Sequence, residues 1–117
     1  MIFTFINAII PNKNRNIVKK YENYLHSKAI YVPICDYIHC YKNCCHENVI
    51  NLVKEYGGNI IKGYYLITEA DNSNSAAIYH SIWKYNNQYI DPTPFEEGIL
   101  FHTFIRSDII NEKFLCL

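Results

Sequence analysis

The sequence predicts an α+β fold in which a helix carrying a reactive residue lies against an antiparallel sheet. Three observations predict it. Apolar residues recur at three- and four-residue spacing in two stretches of the first half, and β-branched and aromatic residues form short runs in the second half. The change from one pattern to the other falls at Gly57-Gly58. With 117 residues, half of them apolar, the chain has room for one modest core, so a single domain over residues 1–117 is expected.

The first helix is expected over about Asn16–Ser27, because Ile17, Val18, Tyr21, Tyr24, Leu25 and Ala29 repeat at helical intervals while the lysines and Glu22 fall on the other side. Ile30–Asn43 is rich in Tyr and Cys and interrupted by Pro33, which predicts an irregular or extended approach to the next element. The second helix starts at Asn43 or Cys44, either of which could cap it. Glu47 lies in its first turn, Val49, Ile50, Leu52, Val53 and Tyr56 form its apolar stripe, and Gly57-Gly58 stops it.

Strands follow at Asn59–Thr68 and Ala76–Tyr85, separated by the polar loop Glu69–Ser75, and then at Gln88–Asp91 after a turn at Asn86-Asn87. Asn tolerates the positive φ of a two-residue hairpin turn. Pro92 and Pro94 end that strand. A further strand over roughly Gly98–Arg106 and a short apolar tail ending at Leu117 complete the sheet.

Charge and cysteine content exclude several function classes. Acidic and basic residues balance at eleven each, and no basic cluster is denser than Lys19-Lys20, so no nucleic-acid surface is expected. The apolar opening run, Met1–Ile10, lacks the flanks of a signal peptide. No stretch approaches the roughly 20 apolar residues that span a bilayer, so no membrane partner is expected. Five cysteines, an odd number, predict free thiols in a reducing, cytoplasmic setting.

Within this framework Cys45, His80 and Asp91 occur in the order nucleophile, base, orienting acid. Cys45 opens the second helix, where unpaired backbone N–H groups and the helix dipole favour a thiolate, and its own N–H could meet an oxyanion. With the turn at Asn86-Asn87, Tyr85 faces Gln88, Trp83 faces Ile90, Ile82 faces Asp91 and His80 faces Thr93. His80, Ile82, Asp91 and Thr93 then share one face, with His80 and Asp91 diagonal neighbours. Cys44 becomes the nucleophile if the helix begins one residue earlier. Asn43 or His39 could supply a second oxyanion donor, or serve only as a cap or surface residue. Trp83, Tyr64 and Tyr65 could line a substrate groove, although strand aromatics more often fill a core. His102 is expected to be structural or at the surface, and His26 and His39 are not distinctive. Cys35, Cys40, Cys44, Cys45, His39 and His46 offer zinc-type ligands but not in paired C-x-x-C knuckles, and no cofactor or metal is expected.

The run CHENVINLVKEYGGNIIKGYYL, followed by HSIWKYNNQYIDPTP, resembles the transglutaminase-like core of the papain-like cysteine enzymes over roughly Cys44–Pro94. The resemblance implies a helix-tip nucleophile at Cys45, a general base at His80, an orienting acid at Asp91 and the central-strand glycine at Gly63. The chain departs from the family in two ways. Trp83 lies three residues after the histidine, where members often carry tryptophan two residues after it, and the chain is far shorter than the protein-cross-linking transferases. No calcium-binding signature is recognisable. The expected function is a thiol hydrolase acting on an amide, peptide or isopeptide bond of a peptide or protein substrate, with a ubiquitin-like conjugate as one candidate. Glutamine deamidation or transglutamination, and a non-catalytic peptide-binding or zinc-binding module, are the alternatives.

Overall fold

The computed structural model describes residues 8–35, 39–71, 73–95, 99–108 and 112–117. Among them are two helices, α1 (Asn16–Leu25) and α2 (Cys45–Tyr56), with strands β1 (Ala8–Ile9), β2 (Ala29–Pro33), β3 (Asn59–Glu69), β4 (Ser75–Tyr85), β5 (Gln88–Ile90), β6 (Phe101–Arg106) and β7 (Phe114–Leu115). The strands form one antiparallel sheet in the order β2-β6-β3-β4-β5, while β1 pairs with β3 and β7 with β4. The architecture is α+β. Among the described residues, no helix is long and apolar enough to cross a membrane.

The sheet coils until its outer strands meet. Beyond β2 and β5 a parallel bridge joins Ile34 to Asp91; the Asp91 N–H donates to the Pro33 carbonyl at 2.9 Å and the Cys35 N–H to the Asp91 carbonyl at 3.0 Å. Coiling this tight needs close backbone approach. Gly63, paired with Arg106, permits it: a Cβ there would lie 2.2 Å from the Ile105 carbonyl oxygen and 2.7 Å from the Phe104 ring.

Strand alternation divides the core between the two faces. Val32, Ile61, Ile82 and Phe104 form a buried cluster on the inner face, with Ile30 and Tyr89 packed against it. On the outer face, α1 presses Val18 and Tyr21 onto Tyr64, Leu66, Ala77 and Ile105, and α2 presses Val49 and Leu52 onto Trp83.

The hairpin turn forms as expected, with φ of 50° at Asn86 and 61° at Asn87, and Tyr85–Gln88 and Trp83–Ile90 in register. Several local details differ from expectation, each for a local reason. Helix α1 stops at Leu25 because His26 turns left-handed and the Ser27 N–H returns to the Glu22 carbonyl. The Ile30–Asn43 segment, expected to be irregular or extended, begins as strand β2, which pairs with β6 on one side. Pro33 is tolerated there because it ends a strand at the sheet's edge. The ladder of β5 ends at Ile90 because Asp91 crosses to Ile34. No side chain caps α2: Cys44 occupies the cap position without a side-chain hydrogen bond, and Asn43 is left-handed at φ 61°. The expected strand start at Gly98 and most of the apolar opening run lie outside the described residues.

Candidate active site

A gap along the outer edge of β4 brings Cys45 to His80. Strand β5 pairs with Trp83–Tyr85 and β7 with Ala77 and Ile78, and the Tyr79 N–H donates to the Lys113 carbonyl at 2.9 Å. By alternation the Ser81 N–H points the same way, into the space between the two short partners. The tip of α2 fills that space. The Ser81 backbone hydrogen-bonds the Cys45 sulfur, His46 Nδ1 engages the Ser81 hydroxyl, and the His46 ring lies against Tyr79 at 4.5 Å.

From this position Cys45 also hydrogen-bonds the side chain of His80, which projects from the inner face of β4. His80 Nε2 lies 2.6 Å from Asp91 Oδ2, so Nδ1 is the ring nitrogen left for the sulfur. Asp91 is fully buried. Its Oδ1 accepts the Thr93 N–H at 2.9 Å, and its Oδ2 has a second imidazole at 2.5 Å, Nε2 of His102. Asn48, one turn along α2 from the cysteine, donates to the Tyr41 carbonyl at 2.8 Å and to Thr93 Oγ1 at 3.1 Å. It thereby ties the segment before the helix and the segment after Asp91 to the same helical turn.

These contacts set the charges. Burial pushes the Cys45 thiol up, but the hydrogen bond and charge of His80, with the Ser81 backbone, bring it below the ordinary thiol value. Burial pushes His80 down, yet Asp91 and Cys45 outweigh burial and raise it to about 9. Burial also opposes ionisation of Asp91, whereas donation from His102 and His80 holds it at about 2. These directions favour a thiolate beside an imidazolium, with an ionised carboxylate behind it.

A cleft of about 450 Å³ opens over Cys45 and His80, bordered by Lys42, Asn43, Tyr65, Ile78, Tyr79 and Phe95. Tyr65 packs edge-on against His80 at 5.1 Å and against Phe95 at the same distance. Its hydroxyl is pushed up to about 12, first by burial and then by the negative charge of Cys45 and Asp91.

Of the residues expected at the site, Cys45, His80 and Asp91 are brought together, and Asn43 and Tyr65 line the cleft. His39 is exposed and does not line it. Tyr64 and Trp83 lie elsewhere: both are buried on the outer face, Tyr64 donating to the Glu112 carbonyl at 2.8 Å and Trp83 to the Gly57 carbonyl at 2.9 Å. An odd spacing from His80 places Trp83 on the opposite side of the strand. Cys44 does not line the cleft.

His102 is not at the surface. It is fully buried on Asp91, in contact with the rings of Tyr65 and Phe95. Sequence reasoning missed it because its position on the inner face depends on β6 pairing with β3, a contact between residues some forty positions apart. The zinc-type cluster of cysteines does not assemble either: among the described residues, the grouped metal-capable donors are His80, Asp91 and His102. Their N–O separations of 2.5 and 2.6 Å are hydrogen-bond distances, shorter than the roughly 3.3 Å kept by two ligands on one tetrahedral zinc.

No protein-family model, no curated protein and no solved structure matches this chain.

Proposed function

We propose that this chain is a minimal papain-like, transglutaminase-like thiol hydrolase acting on an amide, peptide or isopeptide bond. The observation that carries this reading is the meeting, in an open cleft, of a helix-tip thiol below its ordinary pKa with an imidazole raised to about 9 and backed by a buried carboxylate. Perturbed groups in a cleft with nucleophile, base and orienter in contact are the pattern expected of covalent catalysis.

The Cys45 thiolate attacks the carbonyl carbon. The oxyanion is met by the backbone N–H of Cys45 at the tip of α2, with Asn43 in the cleft as a candidate second donor. As the C–N bond breaks, the proton on His80 Nδ1 passes to the leaving amine and a thioester remains. Water then gives a proton to the same nitrogen and attacks the thioester, releasing the acid and restoring the thiolate–imidazolium pair. Throughout, Asp91 holds the ring through Nε2 and stabilises its charged form.

A cleft at the junction of helix and sheet suits an extended peptide or a protein segment. Hydrolysis, glutamine deamidation and acyl transfer share the thioester and differ in what attacks it and which amine leaves. The test is intact mass after incubation with electrophilic peptide and ubiquitin-type probes. A covalent adduct on the wild type, absent from Cys45→Ala, supports the reading. Slow and equal alkylation of all five cysteines overturns it in favour of a binding module. With an adduct in hand, ammonia release or amine incorporation identifies deamidase or transferase chemistry.

A further inference from the structure

We infer that His102 is a positioning residue of this site, a neutral imidazole that anchors Asp91 from behind and makes the catalytic group a chain of four, Cys45–His80–Asp91–His102. The inference rests on the hydrolase reading above. Its geometric basis is that Asp91 Oδ2 is shared: His80 Nε2 lies 2.6 Å away on one side and His102 Nε2 2.5 Å away on the other, their rings 5.3 Å apart and almost perpendicular.

The charge on His102 follows from its other nitrogen. Nδ1 is buried and has no hydrogen-bond partner among the described residues, so a proton there would be stranded without an acceptor. The single proton is therefore on Nε2, donated to Asp91, and the ring is neutral. Burial, the largest influence, and the charge of His80 both favour the neutral form, against the pull of Asp91. One carboxylate could not neutralise two buried imidazolium ions. The pair divides the work: His80 carries the charge and exchanges the proton, and His102 only donates.

What His102 supplies is a fixed carboxylate. With Thr93 N–H on Oδ1 and two imidazoles on Oδ2, Asp91 has three donors replacing the water it lost on burial. Among the described residues, the titratable and charged neighbours of Asp91 are His80 on β4, His102 on β6, Tyr65 on β3, Cys45 on α2 and Cys40 before it. Of these, only His80 and His102 stabilise its negative charge. Without His102 the carboxylate keeps two donors, can rotate away from His80, and becomes easier to protonate.

The test is the pH dependence of Cys45 alkylation by iodoacetamide in wild type, His102→Leu and His102→Gln. Leucine removes the donor, whereas glutamine keeps an N–H without a titratable ring. His102→Leu is expected to lower the alkylation rate at pH 6 about tenfold and to move the acidic limb upward, with His102→Gln recovering most of the loss. A merely structural histidine would lower the folded fraction and leave the limb of the folded protein in place. If a folded His102→Leu matches wild type, the inference fails while the hydrolase reading stands. If wild-type Cys45 itself reacts as an ordinary thiol, the hydrolase reading fails first. Should His102→Leu not fold, imidazole ¹⁵N spectra of the wild type decide. His102 must remain the neutral Nε2–H tautomer while His80 is charged; a His102 that titrates near the ordinary histidine value overturns the inference.

Discussion

The inner face of the coiled sheet has two halves built from the same strands by opposite rules. On β4, Ile82 joins the aliphatic cluster and His80, two residues earlier, enters the ionisable one; on β6, Phe104 and His102 divide in the same way. Both halves are buried. The aliphatic half is stable because any well-fitting apolar volume leaves water favourably. The ionisable half is stable only because every charge has a named partner, since an unpaired buried charge would cost several kcal/mol. One half therefore tolerates exchange among similar side chains, and the other depends on individual atoms.

The sharpest break in this comparison is chemical. Cys45→Ala and His80→Ala should each reduce turnover by a factor on the order of 10⁶ in folded protein, and Asp91→Ala by roughly 10⁴, because the base then remains without its orienter. Steady-state rates with whichever probe substrate the adduct screen identifies would measure this, and a fully active His80→Ala would remove the triad.

Next in size is Phe104→Ala in the aliphatic half, expected to lower stability by about 3–5 kcal/mol through lost burial and a cavity. Chemical denaturation measures the loss. The pH profile of Cys45 alkylation in the folded fraction should not move, and a shifted profile would mean that the two halves are coupled rather than merely adjacent.

A smaller effect is the response of stability to pH. His80 is raised to about 9, so its contribution is complete below the unfolded value of about 6.5 and is lost as pH rises through 9. Asp91 is depressed to about 2, so its contribution is present above about 3.8 and is lost as pH falls toward 2. Cys45 is lowered, so its contribution grows as pH rises toward the ordinary thiol value and offsets part of the loss from His80. Melting temperature should therefore plateau between these windows, and His80→Gln should flatten whatever alkaline decline remains. An unchanged decline in that variant would assign it to other groups.

The smallest expected effect is none. Cys44→Ala should leave alkylation of Cys45 and any turnover unaltered, because Cys44 precedes the helix and does not line the cleft. Loss of activity there, with Cys45→Ala still active, would move the nucleophile by one residue.

What could be read in the chain was local. The helical spacing of α2 and its stop at Gly57 depend on residues a few positions apart, and the Asn86-Asn87 turn specifies the hairpin register, which already places His80 and Asp91 on one face. Even so, the register alone does not make the contact as it occurs: Asp91 leaves the ladder and is held by Pro33 and Cys35 across the closing edge. Trp83 was legible in principle, because parity along β4 sends it to the face opposite His80.

The sequence by itself determined the periodicities, the turn and the order Cys45, His80, Asp91, since these depend on dihedral preferences and on side chains a few residues apart. Tertiary structure alone decided three things. It left β4 bare between β5 and β7 so that the tip of α2 could dock, it closed the sheet through Ile34 and Asp91, and it delivered His102 to the back of the carboxylate. Each depends on strands distant in the chain meeting in one register, and no local propensity encodes which distant partner a strand will choose.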